Sequence, residues 1–333
     1  MKTLNLLVVG FLMISIYHQA ASQYGPQKFF GEKMVVPEIP PGEERMRVII
    51  VSDATNEIDD IWAIALALLY PERFDIVGFV GSNYDHTYWS GTGPEGIEKS
   101  VNEIHTILEK AGMPGRYPVF HGAHPMQYEF TSQNSEGIDF IIEQAMLSTP
   151  DDPIWIISLG TPTDAASAYL KEPAIADRVR MFWHARTENT WPYRAHNFNI
   201  KGDMHAARMM FHSPLPLVLF DTGTHLIAGP LEETKEYVKP YGDLGEYLYN
   251  YRLKNSYFLE PDKGYFDLGD IAALIDPDIA TWEVTACPSV TYYMDYNWDR
   301  TNGTLLRCTY IDRDATFKLL YDGLKRHIQN KNN

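Results

Sequence analysis

Short apolar strands and helices alternate along most of the chain, and this alternation limits the fold more than any other feature. The predicted strands are residues 47–52, 74–82, 118–120, 153–159, 178–184 and 216–220, and the predicted helices between them are residues 60–70, 96–111, 137–147, 163–170 and 203–211. Elements in this order build a mostly parallel sheet with helices on both faces. Right-handed crossovers then bring the carboxyl ends of the strands to one edge, where ligands bind in such sheets. The sequence therefore predicts a single α/β domain, covering residues 46–328.

The charge of the chain excludes one class of partner. Its 44 acidic residues outnumber its 28 lysines and arginines, which gives a formal net charge of −16. DNA and RNA are held by basic side chains that neutralise phosphates, so a nucleic acid polymer is not an expected partner. Carboxylates that converge at one place instead favour a hard cation.

The first 22 residues have the composition of a secretory signal peptide. Lys2 precedes an apolar run from Leu4 to Ile16, and small residues follow at Ala20 to Ser22. The run is too short to cross a bilayer core, which needs about 20 residues, so we expect cleavage near Ser22 rather than a membrane span. The mature protein is then exported, to a periplasm or out of the cell. Residues 23–45 are rich in proline, glycine and glutamate, and we expect a leader that packs on the surface or stays loose.

Export also bears on the two cysteines of the chain. Cys287 and Cys308 lie near the ends of two predicted strands late in the sequence. Disulfides persist in oxidising compartments, so the pair is a candidate for one. The sequence alone leaves both a disulfide and two free thiols open.

An acidic loop follows the first predicted strand. Residues 52–60 read Ser-Asp-Ala-Thr-Asn-Glu-Ile-Asp-Asp, with four carboxylates. Asp59 and Asp60 open a helix, where a capping aspartate would be ordinary. A cap needs only one carboxylate, however, and the loop also contains Asp53 and Glu57. Their concentration at the ligand-binding edge predicts a cation site, and Ca²⁺ is the natural ion outside the cytoplasm.

Side chains suited to gripping sugar hydroxyls follow the later strands. These are amides and carboxylates placed just beyond a strand or in the loop after it: Asn83, Asn197, Asn199, Asp267 and Asp270. An asparagine in a loop is usually a turn former, so each is unremarkable alone. Together they predict a polar site at one edge of the sheet.

These segments, in this order, resemble the inosine-uridine nucleoside hydrolase family. That family opens with a strand followed by Asp-x-Asp-Pro-Gly-x-Asp-Asp, and the resemblance extends from about Arg47 to Tyr321. It implies a single α/β domain with a Rossmann-like, mostly parallel sheet. It also implies Ca²⁺ at the strand ends, a metal-bound water that hydrolyses nucleosides to ribose and free base, and a homo-oligomer.

The resemblance gives three positions a metal-binding role. Asp60 matches the aspartate that chelates the ion, and Leu159 matches the residue whose backbone carbonyl reaches it. Asp267 matches the late metal-binding aspartate, with Asp270 as a competing assignment.

The resemblance also predicts how the sugar is held. Asp59 matches the residue that binds the ribose 2-hydroxyl, while Asn83 and Asn199 match residues that contact the ribose. Asn197 stands where the family has a glutamate, so we include it among the substrate-binding residues.

Three departures from the family pattern concern the chemistry. A metal-binding aspartate of the opening motif, which is also the expected base, falls on Thr55, and the Pro-Gly pair falls on Asn56 and Glu57. A differently shaped loop would let Asp53, Asn56 or Glu57 replace it as a ligand, with Asp53 or Glu57 as the base. The histidine that protonates the leaving group in some members falls on Phe266.

The function predicted from these residues is hydrolysis of the N-glycosidic bond of ribonucleosides. Such chemistry typically uses an activated water and an acid on the leaving group, and we expect His196 to be that acid, with Tyr265 as a substitute. Two alternatives use the same scaffold: an exported carbohydrate-binding protein, or a hydrolase of another glycoside. A phosphohydrolase reading of Asp53-Ala54-Thr55 rests on a short motif only.

Overall fold

An eight-stranded sheet forms the centre of the computed structural model, which describes residues 29–84, 95–185, 190–220, 227–254, 256–261 and 263–331. The strands are β1 (Met46–Ser52), β2 (Phe74–Gly81), β3 (Val119–His121), β4 (Ile154–Ser158), β5 (Val179–His184), β6 (Leu217–Phe220), β7 (Ala280–Val290) and β8 (Tyr296–Ile311). Their order is β3-β2-β1-β4-β5-β6-β8-β7, and all neighbours are parallel except β7 and β8. The connections reverse direction between β1 and β4, which is where a crevice opens beyond the strand ends in sheets of this kind.

Helices cover both faces of the sheet, which confirms the predicted fold class. They are α1 (Asp59–Leu68), α2 (Gly96–Lys110), α3 (Glu136–Met146), α4 (Thr163–Lys171), α5 (Phe198–Gly202), α6 (Met204–His212), α7 (Leu231–Tyr237), α8 (Gly242–Arg252), α9 (Phe266–Ile275) and α10 (Arg313–Lys331). Alternate side chains of β1 point to opposite faces: Val48 and Ile50 pack in one core cluster, and Ile49 and Val51 pack in the other. None of the helices in the described ranges is long and apolar enough to cross a membrane.

Helix α1 is buried along its whole length. All ten of its residues are buried, because it packs against the sheet and also contacts α9. A helix that is apolar on every side needs such surroundings. Its first two residues are nevertheless Asp59 and Asp60, at the end where free N–H groups and the helix dipole favour negative charge. The fold therefore carries two carboxylates into a site that excludes most water.

The described part of the predicted leader, residues 29–45, packs on the domain. The buried Arg73 guanidinium donates hydrogen bonds to the carbonyls of Pro40, Pro41 and Glu44 in this segment, and to the carbonyl of Leu274 in α9. Residues 23–28 of the predicted leader lie outside the described residues. The predicted signal peptide and its cleavage site near Ser22 lie outside the described residues.

The two cysteines lie in the antiparallel pair β7–β8 and are not bonded to each other. Cys287 packs in the core cluster on one face of the sheet, and Cys308 packs in the cluster on the other face. Both residues are buried, and neither is in a disulfide. The alternative of a disulfide between them is therefore wrong, because the sheet itself separates the two side chains.

Candidate active site

Four buried aspartates converge at the carboxyl edge of the sheet, and we call them the acid cluster. Asp53 follows β1, Asp59 and Asp60 begin α1, and Asp267 is in the first turn of α9. Carboxylate oxygens of Asp59, Asp60 and Asp267 all lie within 4.8 Å of one another. Asp53 interacts electrostatically with the other three.

The loop after β1 places Asp53, and not Thr55, with the other acids. Asn56 hydrogen-bonds to the Asp53 carboxylate through its side chain. Thr55 Oγ1 instead lies 2.5 Å from the hydroxyl of Tyr84. A methyl group on Gly160 would lie 2.5 Å from Asp53 Oδ1, so only glycine lets the end of β4 approach this carboxylate so closely.

Burial makes the acid cluster difficult to ionise. Burial, with a contribution from Asp59, raises the pKa of Asp53 to about 7. Burial and the carboxylates of Asp60 and Glu57 likewise raise the pKa of Asp59 to about 7. The pKa values of Asp60 and Asp267 lie well above the usual range for the same reason. The four acids therefore repel one another unless a positive charge joins them.

The cluster also has oxygen atoms that no protein donor satisfies. Asp53 Oδ2 and Asp59 Oδ1 are buried and have no hydrogen-bond partner among the described residues. Asp60 has partners, since it accepts from Ser52 Oγ and shares a hydrogen bond with Asp267. Buried polar atoms are nearly always paired, so each exception needs an explanation, and a bound ion or ligand is one such explanation. A set of carboxylate oxygens fits a hard cation, which would also reverse the pKa shifts.

A histidine and a fifth aspartate adjoin the acid cluster. His184 ends β5, and its Nδ1 atom lies 2.7 Å from Asp270 Oδ2 and 3.4 Å from Asp267 Oδ1. Burial opposes protonation of His184, but the neighbouring Asp270 carboxylate outweighs it and raises the pKa of the imidazole. Asp267 belongs to two groups of candidate metal ligands, one with Asp59 and Asp60 and one with His184 and Asp270. Asp270 is engaged with His184, and Asp267 is the residue that faces the start of α1.

Two of the predicted sugar-binding amides lie at the same edge. Asn83 Nδ2 donates to the Ala123 carbonyl and to Thr163 Oγ1, at 2.7 and 3.1 Å. Its Oδ1 atom is buried and has no hydrogen-bond partner in the described part of the chain. Asn199 Nδ2 donates to the carbonyls of Leu159, at 2.6 Å, and His184, at 2.9 Å. Asn199 thus holds the Leu159 carbonyl, the predicted backbone ligand, in place.

The remaining predicted residues of the long loop lie next to Asn199. Asn197 Oδ1 caps α5 by accepting from the backbone N–H groups of Asn199 and Ile200. The Asn197 Nδ2 atom is buried and unsatisfied within the described ranges. His196 precedes the cap and is half-buried.

Comparison with known proteins agrees with this geometry. The sequence profile of the inosine-uridine preferring nucleoside hydrolase family matches residues 48–318. The chain belongs to this family. It is 25% identical over 241 residues to the pyrimidine-specific ribonucleoside hydrolase RihB of Escherichia coli, a match that covers 64% of this chain and 72% of RihB.

Solved structures of nucleoside hydrolases share the fold. A purine-preferring ribonucleoside hydrolase from Gardnerella vaginalis superposes with a TM-score of 0.66 at 17% identity, over 85% of this chain and 99% of that one. An inosine-uridine preferring nucleoside hydrolase from Bacillus anthracis superposes with a TM-score of 0.60 at 12% identity, over 86% and 99% of the two chains. At these identities the likeness establishes the nucleoside hydrolase fold.

Two charged residues of this candidate site could not be assigned from the sequence, His184 and Lys263. His184 was predicted only as the last residue of a strand, and Lys263 received no role. Lys263 is 2% exposed, and its Nζ atom lies 3.1 Å from Glu57 Oε2. It also lies 4.6 Å from the ring centre of Phe266, the residue at the position of the family histidine. Both residues lie close in sequence to polar site motifs, which is the one signal that the sequence offers. Their partners are far along the chain, so the sequence does not show the pairs.

Proposed function

We propose that this nucleoside hydrolase family member cleaves the N-glycosidic bond of ribonucleosides and that it uses Ca²⁺ held by the acid cluster. The observation that carries the proposal is the convergence of Asp59, Asp60 and Asp267 within 4.8 Å in a buried site. Membership of a family of nucleoside N-glycosidases supports the reaction class. The proposed substrate is a small molecule, and the predicted signal peptide supports a reaction outside the cytoplasm.

The proposed ligands come from three segments of the chain. Asp60 and Asp267 hold the ion together with the backbone carbonyl of Leu159, and Asp53 replaces the family aspartate that falls on Thr55. Asn56 then supports Asp53 through their hydrogen bond and is not itself needed as a ligand. When bound, Ca²⁺ supplies the positive charge that favours ionisation of an attacking water.

The sugar is held by atoms that the protein leaves unsatisfied. Asp59 Oδ1 and Asn83 Oδ1 are buried acceptors without partners among the described residues, so hydroxyl groups of a ribose would satisfy both. Asn197 Nδ2 is a buried donor in the same condition. Any contact of Asn199 with the sugar would use its oxygen, since its nitrogen donates to Leu159 and His184.

Proton transfers complete the proposed reaction. Asp53 Oδ2 accepts a proton from the attacking water as the water oxygen bonds to the anomeric carbon and the bond from that carbon to the departing nucleobase breaks. Phe266 has no proton to give to that base, so we assign the transfer to His196 in the loop that also carries Asn197 and Asn199. General acid help of this kind is typically worth about 10² to 10⁴ in rate.

The test is release of reducing sugar from a panel of purine and pyrimidine nucleosides by the mature protein. We expect release with Ca²⁺, none with EDTA, and none from the Asp60→Ala variant. Asp139→Asn is the matched control, because Asp139 is an exposed aspartate that pairs with Lys171 away from the site. Its activity should equal that of the wild type.

The sugar-binding alternative predicts a different result in the same assay. Phe266, in place of the leaving-group acid, is the feature that favours it. Calorimetric binding of ribose or a nucleoside in Ca²⁺, with no sugar released after prolonged incubation, would replace the hydrolase by a binding protein. Release from another class of glycoside alone would keep the hydrolase and change its substrate.

A further inference from the structure

The loop between β1 and α1, residues 53–58, which we call the catalytic loop, contacts a segment that is distant in sequence. Glu57, in the middle of this loop, forms an ion pair with Lys263 at 3.1 Å. It also forms a hydrogen bond with Tyr257 through side chains. Lys263 and Tyr257 both belong to the stretch that leads into α9, so the contact joins the two segments that supply the acid cluster.

The surroundings of Lys263 leave it little freedom to move. Its Nζ atom lies 5.0, 5.9 and 4.6 Å from the ring centres of Tyr257, Phe258 and Phe266. It donates a hydrogen bond to the carbonyl of Gly264 at 2.9 Å. A buried ammonium group is costly unless an anion pairs with it, while aromatic faces stabilise it further. Glu57 is the paired anion, and this ties the loop to a fixed charge.

The two ends of the loop supply the acid cluster, while the middle of the loop turns elsewhere. Asp53 at one end and Asp59 at the other both join the acid cluster, while Thr55 between them turns away to Tyr84. Glu57 lies between Thr55 and Asp59, at the position of a family glycine. Its side chain is 23% exposed and is directed to Lys263, whereas those of the cluster acids are almost fully buried.

We propose that the Glu57–Lys263 ion pair is a positioning device, which fixes the catalytic loop in the shape that brings Asp53 into the acid cluster. Glu57 is then a positioning residue and not the base that the sequence also allowed. Lys263 acts through it, and its charge also opposes the repulsion among the cluster acids, since it lowers the pKa of Asp59 against the larger effect of burial. The inference rests on the proposed function, because positioning has a meaning only for a site that binds the cation and the nucleoside.

The test compares Lys263→Met, Lys263→Arg and Tyr257→Phe with the wild type. The readouts are Ca²⁺ affinity by calorimetry, kcat and KM for the preferred nucleoside, and the melting temperature. Groups that orient metal ligands typically contribute about 10- to 100-fold to affinity or activity. We therefore expect Lys263→Met to lower both Ca²⁺ affinity and kcat by about this factor, with KM changed by less than about threefold. Lys263→Arg should restore most of the loss, and Tyr257→Phe should show a smaller loss in a protein that keeps its buried charge pair.

Lys33 provides the matched control for loss of a buried lysine. It is 8% exposed and donates to the carbonyls of Met210 and Ser213 on the far side of the fold from α1. Lys33→Met removes the same charge and should lower the melting temperature while Ca²⁺ affinity, kcat and KM stay unchanged. A purely structural role for Lys263 would make the two methionine variants alike.

A double-mutant cycle separates positioning from base catalysis. If the pair acts as one unit, Glu57→Gln and Lys263→Met together should cost little more than the worse single change. A Glu57→Gln variant that keeps full Ca²⁺ affinity but loses about 10³-fold in kcat would overturn the inference and make Glu57 the base. A Lys263→Met variant with wild-type affinity and kcat would also overturn it. If instead the wild type neither binds Ca²⁺ nor releases sugar, the proposed function fails, and the inference fails with it.

Discussion

The acid cluster and Glu129 are both buried carboxylates, but their pKa values are shifted in opposite directions. The acid cluster has four aspartates whose pKa values are all raised, chiefly by burial. Elsewhere, Glu129 is also buried, and burial again opposes its ionisation, but hydrogen bonds from His212, Arg208 and Tyr292 lower its pKa to about 2.

The difference lies in the donors that each carboxylate receives. Arg208 Nε and the Tyr292 hydroxyl lie 3.0 and 2.8 Å from Glu129 Oε2, and His212 Nδ1 lies 3.2 Å from Oε1. Together these four residues are the Glu129 network, which ties the loop before α3 to α6 and to the β7–β8 turn. Glu129 thus receives all three of these donors from the protein itself. In the acid cluster the donors from the described residues do not offset burial, so the pKa values stay raised. This is expected of carboxylates that bind a cation.

The largest effect should come from removing one acid of the cluster. We expect Asp60→Asn to lower nucleoside turnover by about 10³-fold, because the reacting charges lose a fixed electrostatic partner. The same change should raise the melting temperature of the Ca²⁺-free protein, since a buried, repelled carboxylate becomes neutral. Thermal denaturation in EDTA and in Ca²⁺ measures the melting temperature without and with the ion. A Ca²⁺-free variant that melts at a lower temperature than the wild type would contradict repulsion among the cluster acids.

The Glu129 network should respond in the opposite way. Glu129→Gln leaves the part-buried Arg208 without its anion, and breaking a buried ion pair typically costs about 3 kcal/mol. We expect the free energy of unfolding in urea to fall by about this amount, with kcat and Ca²⁺ affinity unchanged. A loss of activity in a folded variant would show that the two regions are coupled.

Crowding of a buried carboxylate should matter for activity only in the acid cluster. A methyl group on Gly160 would lie 2.5 Å from Asp53 Oδ1, and one on Gly122 would lie 2.6 Å from Asp164 Oδ2. Misplacement of a reacting group by about 1 Å can cost about 10²-fold, so we expect Gly160→Ala to lower kcat by about 10- to 100-fold. Gly122→Ala should lower the melting temperature and leave kcat unchanged. Equal losses of kcat in the two variants would show that crowding of a buried carboxylate affects activity outside the acid cluster as well.

The smallest effects concern the pH dependence of stability. Asp164 and Glu129 should change the free energy of unfolding in opposite directions as pH rises, and over different pH ranges. Burial raises the pKa of Asp164 to about 7, so the folded state keeps a proton that the unfolded chain loses near pH 4, and stability falls as pH rises between these values. The lowered pKa of Glu129 has the reverse sign, because its stabilisation is present above about pH 4.3 and is lost as pH falls toward 2.

Urea midpoints across pH check both signs by difference from the wild type. Asp164→Asn should gain about 1 to 2 kcal/mol at about pH 8 and nothing at about pH 4. The deficit of Glu129→Gln should shrink only in acid. A Glu129→Gln deficit that persists unchanged at about pH 2 would show that packing, and not charge, holds this network.

The parts of the site that could be predicted are those carried by a single segment. The run from β1 into Asp59 and Asp60 specifies a buried strand, a turn and an acidic helix start, and the structure has all three, with the helix one residue earlier than predicted. Asn83 follows its strand in the same local way. Local order was also enough to place the carboxyl edge, since parallel strands must end there.

The parts that escaped prediction depend on partners far along the chain. His184 pairs with Asp270, which is 86 residues away, and Lys263 reaches back to the catalytic loop. No local sequence pattern predicts such pairs. They form only when α9 and the stretch before it pack against the end of β5 and the loop before α1. The choice among Asp53, Asn56 and Glu57 is of the same kind, because the sequence does not show that Gly160, in a different strand-to-helix turn, lies against Asp53.

The carbonyl groups gathered by Arg73 have a consequence for the order in which the chain can be completed. Three of them belong to the segment before β1, while the fourth belongs to Leu274, which is 201 residues beyond Arg73. The full set of four hydrogen bonds therefore cannot form until residues through α9 have been synthesised. Contacts between such distant residues slow folding, and until they form the amino-terminal stretch remains accessible to other proteins. The complete set of contacts around Arg73 thus joins residues that are made early in synthesis to residues that are made much later.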